Sequence, residues 1–260
     1  MQFRPTLWPT LVVLPVLAVL IGLGVWQLQR RDWKEALIVV RAERVVSPII
    51  DLVPRTRIET ITDPGRFEIR LPPASGVATI ESDAASYEYR PVRLAGILQH
   101  EKAMHVVGRT LNGRAGEHVV TPLALAQGGI VLVDRGWVPP RGSSAGARDY
   151  ARPEGRVVVE GYVRLFTAPG TFTPDNEPHS DTWFWFDHEA MARASGEDIA
   201  SGFYVQAAPA AAANSPPVGS APEIALNNPH LQYALTWFGV AMALVGVYVA
   251  FHIRRRDSDL

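Results

Sequence analysis

The chain has 260 residues, of which 47% are hydrophobic, and its formal net charge at pH 7 is −1. This balance is not basic, so we expect no nucleic-acid partner. Cysteine is absent, which excludes disulfides, thiolate metal sites and cysteine nucleophiles.

Two long apolar runs lie at the two ends of the chain. Residues 7–25 and 233–251 each give nineteen positions without a charged side chain. A helix of this length, rising about 1.5 Å per residue, comes close to the ~30 Å hydrocarbon core of a bilayer. The alternatives are a buried core helix and, for the first run, a cleaved signal peptide, but bulky Trp26 directly follows that run. We predict transmembrane helices over 7–28 and, with a membrane-surface lead-in, over 228–253, and hence contact with the lipid bilayer.

Basic residues beside the two runs give conflicting indications of topology. Arginines 254–256 follow the second run, and the positive-inside rule assigns such residues to the cytoplasm. Arg30, Arg31 and Lys34 follow the first run and would then lie on the far side. Because large domains are translocated despite their charge, we favour cytoplasmic termini and a domain outside the cytoplasm.

Strand patterns dominate the region between the two runs. Alternating apolar residues predict strands over 67–71 and 156–164, and a run that is apolar on both faces predicts a central strand over 130–133. Over 87–98 the apolar phase slips, so we expect a bulge or an edge position at Pro91.

The remaining segments complete the predicted organisation. Helical spacing predicts a short helix over 32–46, and a second helix begins at an Asp187 cap and ends near Gly196. Residues 207–227, rich in Ala and Pro at their start, are interpreted as a flexible spacer. We therefore predict an α+β membrane protein, in which two transmembrane helices flank a mainly antiparallel, small barrel-like extramembrane domain over 29–206.

Catalytic motifs are missing from the sequence. It has no helical zinc-protease motif, no Gly-x-Ser-x-Gly, no phosphate-binding loop and no Rossmann glycine pattern. Seven histidines are present: His100, His105, His118, His179, His188, His230 and His252. None of them forms a recognisable metal or nucleophile motif, so we expect the protein not to be an enzyme.

His230 is the histidine with the most suggestive surroundings. Asn228 can cap a helix and Pro229 suits its first turn, so His230 stands where the second span begins. Tyr233 and Trp237 follow at helical spacing and share its face. An imidazole beside aromatic surface is what an iron porphyrin needs, namely an axial ligand and a place for its macrocycle.

The first span ends with residues that complement this pattern. Trp26, Arg30, Arg31 and Trp33 lie at the same membrane level if the two spans pack together, and the arginines could pair with porphyrin propionates. The ordinary interpretation stays open as well, because aromatic residues and arginines gather at membrane surfaces in any case, and a single His is usually just a hydrogen-bonded polar group.

Two further segments combine charge with aromatic residues. The first covers 134–139 (DRGWVP) and follows the predicted central strand, and the second contains Asp175, Asn176, Trp183, Trp185 and Asp187. The first could be a docking or ligand loop, but we favour an ion pair and a Trp that closes one end of the barrel. The second could be a partner-facing patch, but we favour aromatic edge packing.

Several of these segments occur together in a characteristic order. They are 24–30 (GVWQLQR) with Trp33 and Lys34, 89–96 (YRPVRLAG), 108–109 (GR), 121–123 (TPL), 133–139 (VDRGWVP), 161–164 (GYVR), 172–176 (FTPDN), 183–187 (WFWFD) and 228–239 (NPHLQYALTWFG). This ordered set, with a span at each end, resembles the surfeit locus protein 1 family, the cytochrome c oxidase assembly factors, in its bacterial form.

The resemblance implies both a place and a role for the chain. It implies a multi-pass protein of the bacterial inner (plasma) membrane, with cytoplasmic termini and a periplasmic domain. It implies a chaperone of the respiratory chain that binds or hands over haem a while the largest oxidase subunit matures, with haem a synthase as a possible further partner. The matching metal ligand is His230, and the rest of the candidate haem site comprises Tyr233, Trp237, Trp26 and Arg30. The alternative is a membrane-tethered scaffold that stabilises an oxidase subunit or haem synthase without binding haem.

Overall fold

The structure is a computed structural model that describes residues 2–3, 6–54, 67–70, 77–79, 84–126, 128–141, 150–200, 202–210 and 215–254. The chain divides into two compact units. The terminal unit comprises Met1–Arg41 and Ile224–Leu260, and the central unit comprises Ala42–Glu223.

The elements follow one another along the chain in a simple order. They are β1 (Gln2–Phe3), α1 (Leu7–Val45), β2 (Ile50–Pro54), β3 (Phe67–Arg70), β4 (Val77–Thr79), α2 (Ala84–Tyr87), β5 (Pro91–Leu98), β6 (Met104–Leu111), β7 (Arg114–Leu125), β8 (Ile130–Val138), β9 (Arg156–Leu165), α3 (His188–Ser195), β10 (Phe203–Ala207), α4 (His230–His252) and β11 (Ile253–Arg254). Helices α1 and α4 are both long and apolar enough to cross a membrane, judged by length and composition.

Helix α1 is longer than we predicted. The helix expected over 32–46 is not separate, because it continues α1 without a break from Leu7 to Val45. Between Trp26 and Val45 the sequence has neither Gly nor Pro, and an ion pair one turn apart, Arg31 Nε to Glu35 Oε1 at 2.7 Å, supports the helix there. The prediction of two separate helices is therefore wrong.

Within the terminal unit, α1 and α4 pack antiparallel. The Thr10 hydroxyl lies 2.6 Å from the Tyr248 hydroxyl, near the start of α1 and the end of α4. Farther along, Gly24 is so close to Phe238 that an added Cβ would lie 2.4 Å from a ring carbon. Small residues such as the buried Ala234 let the two backbones approach, as is common between helices in membranes.

Five strands of the central unit close into a small barrel. β5 pairs with β9, β9 with β10, β10 with β8, β8 with β7, and β7 again with β5. The ring is antiparallel except between β8 and β10, which run parallel. β6 extends the sheet beside β7, and β2, β3 and β4 extend it beside β5, where β2 joins in parallel. The predicted fold class, a mainly antiparallel barrel-like domain between two apolar terminal helices, is confirmed.

The barrel core forms where the apolar patterns predicted strands. Every residue of β8 after Ile130 is buried, and Val163 on β9 is buried with Val157 and Val159 packed beside it. Pro91 is the first residue of β5, and Tyr89 just before it has a positive φ of 72°. The irregularity predicted at Pro91 is therefore the start of the strand.

Helix α3 has the ends that its sequence predicts. The Asp187 carboxylate accepts a hydrogen bond from the Ala190 amide at 3.0 Å, which satisfies one free donor of the first turn. Gly196 closes the helix with a left-handed φ of 68°, a conformation that glycine adopts at little cost.

Part of the predicted flexible spacer is bound to the barrel. Residues 215–222, called the strap below, run back over β8, where the Val218 amide and carbonyl each bond the backbone of Trp137 at 2.9 Å. The Ser220 amide also donates to the Ala207 carbonyl at 3.1 Å. The strap thus differs from the expected free linker, whereas the boundaries that we predicted after residues 28, 206 and 227, between first span, extramembrane domain, spacer and second span, stay predictions.

Candidate functional site

The candidate site lies at the end of the terminal unit where α4 begins. His230 is the first residue of α4, and Pro229 before it provides no side-chain cap. Asn228, which we predicted as the cap, instead donates its side-chain amide to the Arg31 carbonyl of α1 at 3.3 Å. The predicted capping role is wrong, and Asn228 serves to tie the two helices together.

The two ring nitrogens of His230 have different surroundings. Nδ1 lies 2.6 Å from Oε1 of Gln27 on α1, so this nitrogen donates a hydrogen bond to the amide oxygen. Nε2 is buried and has no hydrogen-bond partner in the described part of the chain. A neutral imidazole that carries its proton on Nδ1 presents a lone pair at Nε2.

Polar contacts between the helices hold this corner in place. Lys34 Nζ donates to the Asn227 carbonyl at 2.7 Å, one turn from the bond between Asn228 and Arg31. Arg31 is also paired with Glu35, so its guanidinium is engaged within α1. The His230 ring therefore lies between two helices, α1 and α4, that are held together by these hydrogen bonds.

The other predicted site residues lie on one flank of the helical hairpin. Because Gln27 faces α4, steps of about 100° per residue place Trp26 and Arg30 to one side of α1. Since α4 runs antiparallel, the same geometry places Tyr233 and Trp237 on that side too. The Arg30 guanidinium lies 4.0 Å above the ring of Trp33, and Trp26 and Tyr233 are 53% and 54% exposed. We call the set of Trp26, Arg30, Trp33, Tyr233 and Trp237 the aromatic flank.

His230 differs from the other described histidines. It alone has a buried ring nitrogen without a partner. His118 bonds the Asp134 carboxylate at 2.9 Å, His105 bonds Asp181 at 2.5 Å, and His188 bonds the Ile199 carbonyl at 3.0 Å. These three are accounted for by packing, whereas Nε2 of His230 is not.

The chemistry of this donor set fits an iron porphyrin. Among the residues that the structure describes, no group of three or more His, Asp or Glu side chains is placed to hold a metal ion. A single imidazole suits a metal that brings its own equatorial ligands, as haem iron does. Metal-binding histidines also usually donate their other ring N–H to an acceptor, and Gln27 is such an acceptor here.

Gln27 is the residue that we did not identify from the sequence. It lies within the segment 24–30 that carries part of the family resemblance, but its partner is 203 positions away. Only the register of the two packed helices brings the pair together.

The segment at 134–139 serves the barrel. Asp134 to Val138 belong to β8, so the central strand that we predicted over 130–133 continues through this segment. The buried Asp134 carboxylate accepts from His118 and from the Gly136 amide at 3.0 Å. Burial lowers the pKa of Arg135, whose guanidinium donates to the Ala151 carbonyl. These contacts agree with the structural interpretation of the segment.

The second charged and aromatic segment, which runs from Asp175 to Asp187, also packs against the rest of the central unit. Trp183 is 1% exposed, and its amide and carbonyl bond the backbone of β6. The Asn176 side-chain oxygen accepts from the amides of Phe184 at 2.8 Å and Trp185 at 3.3 Å. Together with the cap that Asp187 provides, these contacts agree with the packing that we favoured.

Fold and site together define a class of protein, a small β-barrel joined to two helices able to span a membrane, with a candidate ligand imidazole where the second helix begins. Comparison with known proteins makes this class specific. The SURF1 family model matches residues 14–242. Surfeit locus protein 1 of Mus musculus is 31% identical over an alignment of 260 positions, which covers 94% of this chain and 75% of that protein.

Other relatives agree with this match. Surfeit locus protein 1 of Homo sapiens is 31% identical over 249 residues, which cover 90% of this chain and 73% of that protein. A SURF1-like protein of Monosiga brevicollis is 29% identical over 258 residues, which cover 95% of this chain and 88% of that protein. The chain therefore belongs to the SURF1 family, whose members are known as cytochrome c oxidase assembly factors.

Proposed function

We propose that this chain assists the assembly of cytochrome c oxidase by holding haem a through His230 while the largest oxidase subunit matures. The observation that supports this proposal is the state of the His230 ring, whose Nδ1 is bonded to Gln27 and whose buried Nε2 has no partner in the described chain. Family membership supports the assembly role, and the state of the His230 ring supports haem binding.

Each residue of the site has a part in this proposal. His230 Nε2 would hold the haem iron, and the rings of Tyr233, Trp237 and Trp26 would provide apolar surface for the macrocycle. Arg30 would pair with a propionate. The haem supplies the redox-active iron porphyrin that the mature oxidase needs, and the chain itself catalyses no reaction.

The proposal includes release of the haem. A single side-chain ligand beside the exposed aromatic flank would hold a cofactor less completely than an enclosed pocket with two protein ligands. Such a site is suited to transfer to the largest oxidase subunit, with haem a synthase as the donor. A scaffold that stabilises the subunit without binding haem would have no need of an unpartnered imidazole nitrogen.

Complementation of cells that lack this chain tests the assembly role. Wild-type protein and a His179→Ala control, altered at an exposed histidine of the central unit, should restore the haem a content of the oxidase. His230→Ala should leave that content low although the variant accumulates in the membrane to the wild-type level. Full restoration by His230→Ala would favour the scaffold, and no effect of the wild type would contradict the assembly role itself.

We also propose that the chain resides in a bacterial inner membrane with its termini in the cytoplasm and its barrel in the periplasm. Because the chain has no cysteine, single introduced thiols report topology cleanly. Phe172 in the central unit is 96% exposed, so Phe172→Cys should react with a membrane-impermeant maleimide in spheroplasts. Ser258→Cys should react only after the membrane is opened, and the reverse pattern would contradict the proposed topology.

A further inference from the structure

The hydrogen bond between Gln27 and His230 links the two helices at the candidate ligand. Gln27 Oε1 lies 2.6 Å from His230 Nδ1, which is a short bond for a neutral pair. Each side chain comes from a different helix, so the bond depends on how α1 and α4 pack. It also occupies the only ring nitrogen of His230 that has a partner in the described chain.

We propose that Gln27 is the positioning residue of the haem site, which selects the tautomer and the orientation of His230. The amide oxygen accepts the proton of Nδ1, and this leaves Nε2 as the nitrogen with a free lone pair. If the amide nitrogen faced the ring instead, Nδ1 would have to accept, and the proton would move to Nε2. Nε2 would then be a buried N–H donor without a partner, which is rarer in proteins than an unsatisfied acceptor.

Contacts on both sides keep Gln27 opposite His230. Toward the start of α1, Gly24 lies directly against Phe238, and a larger residue there would meet the Phe238 ring. Toward the end of α1, Arg31 accepts from Asn228, and Lys34 donates to the Asn227 carbonyl. The amide of Gln27 is therefore bracketed by contacts that fix the register of the two helices.

This inference rests on the proposed function and sharpens it. The outer partner of a metal-bound histidine sets the ring orientation and raises the basicity of the ligand nitrogen, and its loss typically costs 10–100-fold in metal affinity. Here that outer partner comes from the first span and the ligand from the second. The haem site thus requires both spans, and neither helix alone would present it.

Nitrogen-15 NMR of the full chain in detergent, labelled at histidine and prepared without haem, tests the tautomer. The spectrum of His230→Ala identifies the His230 signals among those of the seven histidines. We expect a protonated Nδ1 and an unprotonated Nε2 in the wild type. In Gln27→Leu, which keeps the bulk but removes the acceptor, this preference should be lost. A wild-type ring protonated on Nε2 would overturn the inference whether or not the protein binds haem.

Haem titration of the same variants tests the consequence for binding. We expect Gln27→Leu to bind haem a about 10–100-fold more weakly than the wild type, by visible absorption. Gln27→Glu keeps an acceptor and should retain haem while lowering its reduction potential, because a carboxylate makes the ligand nitrogen more electron-rich. Gln29→Leu, altered at an exposed residue two positions along α1, is the matched control and should bind as the wild type does.

The outcomes separate this inference from the proposed function. Equal haem affinity in Gln27→Leu and the wild type would overturn the role of Gln27 and leave haem binding by His230 standing. A wild type that binds no haem would contradict the proposed function, and the NMR measurement would still decide which ring nitrogen of His230 carries the proton. A weakened Gln27→Leu beside a normal Gln29→Leu supports the inference.

Discussion

Replacing Gly136 with alanine should destabilise the barrel by loosening the strap from β8. Gly136 has a φ of +106°, and an added Cβ would lie 2.1 Å from the Val218 carbonyl oxygen. An L-residue held in such a backbone conformation costs about 1–3 kcal/mol. The clash is with backbone, so Val218 must move, and its two hydrogen bonds to Trp137 contribute about 0.5–1.5 kcal/mol each.

Together these effects lower the free energy of unfolding by about 4 kcal/mol. For a domain of this size, about 1 kcal/mol shifts the melting temperature by roughly 2–4 °C, so Gly136→Ala should melt about 8–16 °C below the wild type. The assay is thermal unfolding of the full chain in detergent, followed by near-ultraviolet circular dichroism of the tryptophans.

Gly128→Ala is the control that separates strain from clash. Gly128 also has a positive φ, of +96°, but an added Cβ there would meet nothing within 4 Å. In Gly128→Ala only the backbone strain should lower the free energy of unfolding, by about 1–3 kcal/mol. If Gly136→Ala melts no lower than Gly128→Ala, the reasoning that the strap is bound to β8 is refuted.

Two further predictions concern the central unit. Burial raises the pKa of Tyr204 to about 12, above its ordinary value of 10, so the stability linked to it is present below pH 10 and is lost as the pH rises to about 12. The loss in the free energy of unfolding is about 2–3 kcal/mol. In urea unfolding, Tyr204→Phe should remove this part of the decline in stability at alkaline pH. An unchanged decline would contradict the burial of the hydroxyl. Asp187→Ala should cost about 1 kcal/mol in the same assay because the first turn of α3 loses its cap, and Asp187→Asn should retain most of it, so equal losses in both variants would count against the capping bond.

Local patterns in the sequence predicted the elements whose causes are local. The alternation at 156–164 predicted β9, and Asp187 with Gly196 predicted both ends of α3. The two apolar runs predicted the helices able to span a membrane. In each case, neighbouring residues carry the physical reason for the structure, so no knowledge of the fold was needed.

Features that depend on distant partners were missed or wrongly predicted. The barrel closes through pairing of β5 with β7 and of β8 with β10, and no short pattern specifies either pair. Val218 belongs to a segment rich in Ala and Pro that looks flexible by composition, yet its backbone pairs with Trp137. Composition reports what a segment can do alone and not which open strand edge lies beside it.

The candidate site shows the same division. His230, Tyr233 and Trp237 were found from helical spacing within a single segment. Gln27 was not, because its relation to His230 arises only from the antiparallel register of α1 and α4. From the local sequence we predicted that Asn228 caps α4, but its side chain instead bonds the other helix.

The most direct test of the central claim is the haem a content of the purified chain. Full-length protein from cells that make haem a should show a haem a absorption spectrum, and the amount of haem per chain should be unchanged in His179→Ala. In His230→Ala the spectrum should be lost although the barrel still unfolds at the wild-type temperature. A colourless wild type, or a His230→Ala protein with the full haem content, would contradict the claim that this imidazole holds haem a.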